Sequence, residues 1–122
     1  MLFTPNSELP ASKLYNLSLI DTMCRGNQEQ VAKMVKVFTS EISQSVADIN
    51  TAFSEKDFLT IKKLTHKVKP TLTYFGVEKL QKELLLIDAL LLTDFDITTL
   101  ETHLNNFTKL TTKVIDQLNN DF

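Results

Sequence analysis

Residues 28–53 read QEQVAKMVKVFTSEISQSVADINTAF. Val31, Val35, Phe38, Ile42, Val46, Ile49 and Phe53 return every three or four positions, a spacing that lines them up in one stripe along an α-helix. No period-two alternation, the mark of a half-buried strand, runs through the segment. Asn27 precedes the run and Gln30 follows it by three, an N-cap with a capping-box partner. The pattern predicts a helix over residues 28–53, about seven turns long. An apolar stripe of that length is stable only when other helices cover it.

The flanking sequence supplies them. After SEKD, Asp57 caps a second helix with a core face of Phe58, Ile61, Leu64, Val68, Leu72 and Phe75, and Gly76 suits a left-handed stop. Residues 78–92 form a third helix, leucine-rich and expected to be heavily buried. Asp96 caps a fourth carrying Ile97, Leu100, Leu104, Phe107, Val114 and Leu118. Upstream, residues 17–24 make a small helix ended by Arg25-Gly26. Since short connections force neighbouring helices to reverse, the expected fold is all-α: an antiparallel up-down four-helix bundle with a short additional N-terminal helix.

The totals bound the function. At 122 residues the chain fits one domain. A polar N-terminal tail, residues 1–14 with Pro5, Asn6, Ser7 and Pro10, leads into a domain over residues 15–120. Thirteen basic and 15 acidic residues leave a net charge of −2, which points away from nucleic acid and from anionic membrane surfaces. One cysteine, Cys24, excludes an internal disulfide; it reads as a small apolar residue in a reducing, cytoplasmic setting. The longest apolar run, LLLIDALLL at residues 84–92, is too short to span a bilayer and places Asp88 on its wetter side. His103 reads as a surface residue. Glu101-Thr102-His103 lacks the three-residue step of a di-iron helix motif, so no metal site is expected.

One stretch breaks the helix rules. In LTHKVKPTLTYFGVEKL, residues 64–80, Pro70 interrupts the second helix and removes the donor for the His66 carbonyl, at a cost of roughly 3 kcal/mol in a helix interior. At 100° per residue, His66 lies about 140° and Pro70 about 180° from the core direction at Ile61, so both face solvent. Lys62, Lys69 and Thr73 flank the imidazole on one side and Lys63 on the other. Helical side chains lean toward the N-terminus, so a long residue at position 70 would screen the ring. A compact proline leaves it bare, and rule-breaking of this kind marks functional sites.

His66-Lys67-Val68-Lys69-Pro70 followed by Gly76 resembles the histidine-containing phosphotransfer (HPt) domain, whose motif has the active histidine, a lysine three on, a glycine four on and another glycine ten on. Pro70 replaces the first glycine. The resemblance covers residues 15–119, with Asn16-Leu17 and Gly26-Asn27 also matching. It implies that His66, through Nε2, accepts a phosphoryl group from a receiver-domain phospho-aspartate and passes it to another receiver's aspartate. It implies that Lys69, leaning back toward His66, compensates the phosphoryl charge, and that Gly76 is structural. The implied partners are response-regulator receiver domains or a hybrid sensor histidine kinase; magnesium sits on the receiver, and this chain, a monomer, holds no cofactor. With no GxxxxGK loop and no kinase-like glycine loop, the chain reads as a phosphoryl carrier without ATP-dependent kinase activity. Docking is expected from Lys62, Lys63, Pro70 and Thr73, with Val37 and Gln44 level with His66 on the first long helix. The alternative is a helical-bundle adaptor that docks a receiver without carrying phosphate.

Overall fold

The structure, a computed structural model, describes residues 13–122; of the expected leader only Lys13 and Leu14 fall in that range. Five helices account for most of it: α1 (Ser18–Met23), α2 (Gln28–Ser54), α3 (Phe58–Tyr74), α4 (Glu78–Leu91) and α5 (Ile97–Asp121). No strand occurs among the described residues. α3 packs on α2 and α4, α5 packs on α4 and α2, and α1 lies against α2. The start of the described chain is tied to the end of α5. Lys13 Nζ pairs with Asp121 at 2.8 Å, and the Leu14 amide donates to Gln117 Oε1 at 2.8 Å.

The helix starts follow the sequence signals. Asn27 Oδ1 accepts the amides of Glu29 (3.1 Å) and Gln30 (3.2 Å), while Asp57 and Asp96 cap α3 and α5 through the amides of Thr60 and Thr98. The capping box at Gln30 is not needed, because the Asn27 amide that Gln30 would accept already donates to the Cys24 carbonyl at 2.9 Å. α3 ends in a Schellman pair, with Gly76 N–H to Thr73 O and Val77 N–H to Leu72 O, both 3.1 Å. Gly76 has φ +60, and a Cβ there would stand 2.5 Å from the Asn16 carbonyl oxygen. Only glycine fits that approach. The same backbone meeting gives Asn16 N–H a hydrogen bond to Phe75 O at 3.1 Å, so two of the positions quoted for the resemblance, Asn16 and Gly76, touch each other.

The stripes of α2, α3 and α5 supply most of the core: Val31, Val35, Phe38, Ile42, Val46 and Ile49 meet Ile61, Val68, Leu72 and Phe75, with Leu100, Leu104, Phe107, Val114 and Leu118 opposite. Phe38 and Phe75 stack with ring centroids 4.3 Å apart. Four expectations need correction. Phe53, Phe58 and Leu64 sit half-buried at the stripe edge, and Ala52 is the buried residue at the end of α2. Ile97 opens α5 a full turn before the first buried residue, Leu100, and is exposed. α4 is less buried than its composition suggests: Leu80, Leu84 and Ile87 face inward, but Leu85, Leu86 and Leu92 are exposed, since among the described residues the main packing of α4 is on α3 and α5. His103 is no plain surface residue; its Nδ1 lies 2.6 Å from Glu83 Oε1, a bridge between α5 and α4. Cys24 is half-buried, with Sγ 3.4 Å from Met34 Sδ. Among the described residues no helix is long and apolar enough to cross a membrane.

Candidate functional site

The orientation of α3 fixes the site. Asp57 sets its first turn, with Oδ1 on the Thr60 amide and Oδ2 accepting the Thr60 hydroxyl at 2.7 Å. Ile61, Thr65, Val68 and Leu72 then point inward along the length of the helix. Two side-chain bridges stop α3 from rotating against α4: Thr65 Oγ1 donates to Asp88 Oδ1 at 2.7 Å, and Gln81 Nε2 donates to Thr73 Oγ1 at 2.9 Å. With the inward face so held, His66 and Pro70 are left on the outside, and both are exposed. Among the described residues no side chain hydrogen-bonds or ion-pairs with the His66 ring.

Charge is concentrated around it. α3 carries Lys62, Lys63, Lys67 and Lys69 and no acidic residue, in a chain with a net charge of −2. Such a face attracts an acidic partner surface. Lys63 and Lys67 are exposed, and Lys62 is half-buried.

Lys69, expected to lean toward the histidine, has its ammonium engaged by a carboxylate of α4. Its ammonium lies 3.4 Å from Asp88 Oδ2, with side-chain exposures of 42% for Lys69 and 14% for Asp88. The contact is an ion pair without hydrogen-bond alignment, since Oδ2 is buried and receives no directed donor. Asp88 is therefore not on a wet side of its helix. It sits between α4 and α3, held on one oxygen by buried Thr65 and on the other by Lys69.

An apolar groove of about 410 Å³ runs between α1, α2 and the end of α3, lined by Ile20, Met23, Met34, Val37, Phe38 and Tyr74 and edged by Lys33 and Glu41. Val37, expected off the core stripe, is 56% exposed and forms part of its wall. Gln44 does not line it; its amide bonds instead to Asp48 Oδ1 on its own helix at 2.9 Å. Thr73 is exposed but committed to Gln81. Met23, Met34 and Tyr74 were not legible as site residues, although exposed Met23 and Tyr74 lie off the buried stripes. The groove emerges only when three helices are brought together.

The arrangement combines an exposed imidazole on a basic helix face with an apolar groove between α1, α2 and α3. Among the described residues no group of three metal-ligating side chains converges. Comparison with protein-family models, with curated proteins and with solved structures finds no match for this chain.

Proposed function

We propose that the chain is a histidine phosphotransfer intermediate, folded as an up-down four-helix bundle with a short leading helix, and that His66 is the phosphoryl carrier. The observation that carries the reading is the bare imidazole of His66 on a lysine-rich helix face, with Pro70 rather than a long side chain one turn on. A purely structural helix would have no reason to hold a proline there.

In the proposed step the lone pair of neutral His66 Nε2 attacks the phosphorus of a receiver's aspartyl phosphate. The P–N bond forms as the P–O bond breaks, its electron pair leaves with the aspartate as carboxylate, and the imidazole keeps its Nδ1 proton. Reversal onto a second receiver returns the phosphoryl group. This chemistry asks mainly for positioning and charge compensation. The lysines of α3 supply positive charge toward an acidic receiver pocket, which brings its own magnesium, and the α1–α2–α3 groove offers the apolar part of the docking surface.

Incubation with a phosphorylated receiver tests the reading. Label is expected to move onto the wild-type chain and to be absent from His66→Gln. Capture of the receiver with label on neither the wild-type chain nor the variant would instead make the chain an adaptor.

A further inference from the structure

The sequence pattern gave Asp88 no role, yet it is the most constrained carboxylate near the site. Its Oδ1 accepts the Thr65 hydroxyl at 2.7 Å, and Thr65 is fully buried, so the carboxylate is held from the core side. Its Oδ2 is buried, lacks a directed donor and has the Lys69 ammonium 3.4 Å away as its compensation. A largely buried carboxylate left without its counter-ion is costly, so Asp88 has a standing claim on Lys69.

Residues three apart on a helix are surface neighbours, about 5–6 Å between Cβ atoms. Lys69 is thus rooted beside His66 while its ammonium is paired with Asp88 of α4. Its stem is flexible and 42% exposed, so the charge can swing. Resting on the phosphotransfer reading of His66, we infer that Asp88 is a positioning residue that holds the Lys69 ammonium off the imidazole and competes with the incoming phosphoryl group for it. The competition weakens the grip of the site on its cargo. A carrier that must hand the group on benefits, because a phosphohistidine clamped by a dedicated cation would be a poor donor.

The test is the equilibrium of label between a phosphorylated receiver and the full chain, with folding of each variant checked by circular dichroism. Asp88→Asn preserves shape and removes the competing charge. It is expected to shift the ratio toward phospho-His66 by about twofold to fivefold, the size that a half-exposed ion pair supports. Lys69→Ala is expected to shift it the other way, and Asp88→Asn is expected to do nothing further in the Lys69→Ala background. Thr65→Val, the second variant should Asp88→Asn fail to fold, leaves Lys69 as the only partner of the carboxylate and should move the ratio away from phospho-His66. An unchanged ratio in Asp88→Asn, or the same shift with and without Lys69, overturns the inference while leaving His66 as carrier. A wild-type chain that takes no label at all removes the carrier reading and this inference with it.

Discussion

The sharpest structural prediction concerns Gly76, where backbone conformation and close approach coincide. Replacing it with alanine places an L-residue at φ +60 and a methyl carbon 2.5 Å from the Asn16 carbonyl oxygen, 2.8 Å from Asn16 Cβ and 3.0 Å from Asn16 N. The left-handed backbone alone costs roughly 1–2 kcal/mol. The overlap adds about 1–3 kcal/mol, because two of the three atoms are backbone and cannot rotate aside. Moving the segment away also endangers the Asn16 N–H to Phe75 O hydrogen bond, worth about 1 kcal/mol. Gly26→Ala is the matched control: its φ is +76, but nothing lies within 4 Å of the added carbon. It should lose only the backbone part, and the entropy that alanine removes from the unfolded chain cancels between the two variants. Urea denaturation followed by circular dichroism measures the difference. With a slope of about 2 kcal/mol per molar, Gly76→Ala should fall about 1 M or more below Gly26→Ala in midpoint. Equal midpoints would refute the close approach of Asn16 to the end of α3.

Three further outcomes follow from the site. Pro70→Ala restores the donor for the His66 carbonyl and should raise stability by about 1–3 kcal/mol, while Pro70→Gln should transfer phosphate more slowly than Pro70→Gly; equal transfer rates for the last two would dispose of the bareness argument. Val37→Glu puts a charge into the wall of the groove and should weaken receiver binding about tenfold, the worth of one buried valine side chain, with an unchanged circular dichroism spectrum; calorimetric titration with a receiver checks it. The Asp57 carboxyl is held below its ordinary value of 3.8 by the Thr60 hydroxyl first, then by the Thr60 amide and the charge of Lys63. A depressed folded-state value means that its contribution is complete above the ordinary carboxylate range and disappears as pH falls through the folded value. Wild type and Asp57→Asn should therefore converge in urea midpoint as pH falls below the ordinary carboxylate range and separate above it, and parallel curves would contradict the cap.

Much of the fold was legible because each long helix carries its own instructions. The stripe of α2 and the caps Asn27, Asp57 and Asp96 are local signals, and the helices begin where those residues stand. A single-helix wheel also put His66 and Pro70 outside. It gives a direction but not what stands opposite, and the misses are of that kind. Leu85 and Leu86 looked like core in a leucine-rich run but lie on the side of α4 turned away from α3 and α5, where they are exposed. Lys69 was rightly placed beside His66 along the helix, yet its ammonium is claimed by Asp88 from another helix, a partner 19 positions away that no local spacing rule could supply. Gly76 could be read as a left-handed stop, but its contact with Asn16 depends on where the segment before α1 returns. The groove depends on three helices at once.

The central claim is that His66 carries the phosphoryl group, and residue-level mapping of phosphate tests it most directly. After incubation with phosphorylated receivers from the source organism, peptide mass spectrometry under alkaline conditions should find one phosphoryl group on the peptide containing His66, lost on brief acid treatment, retained in His103→Gln and absent in His66→Gln. Phosphate on any other residue, or label that persists when His66 is replaced, would contradict it.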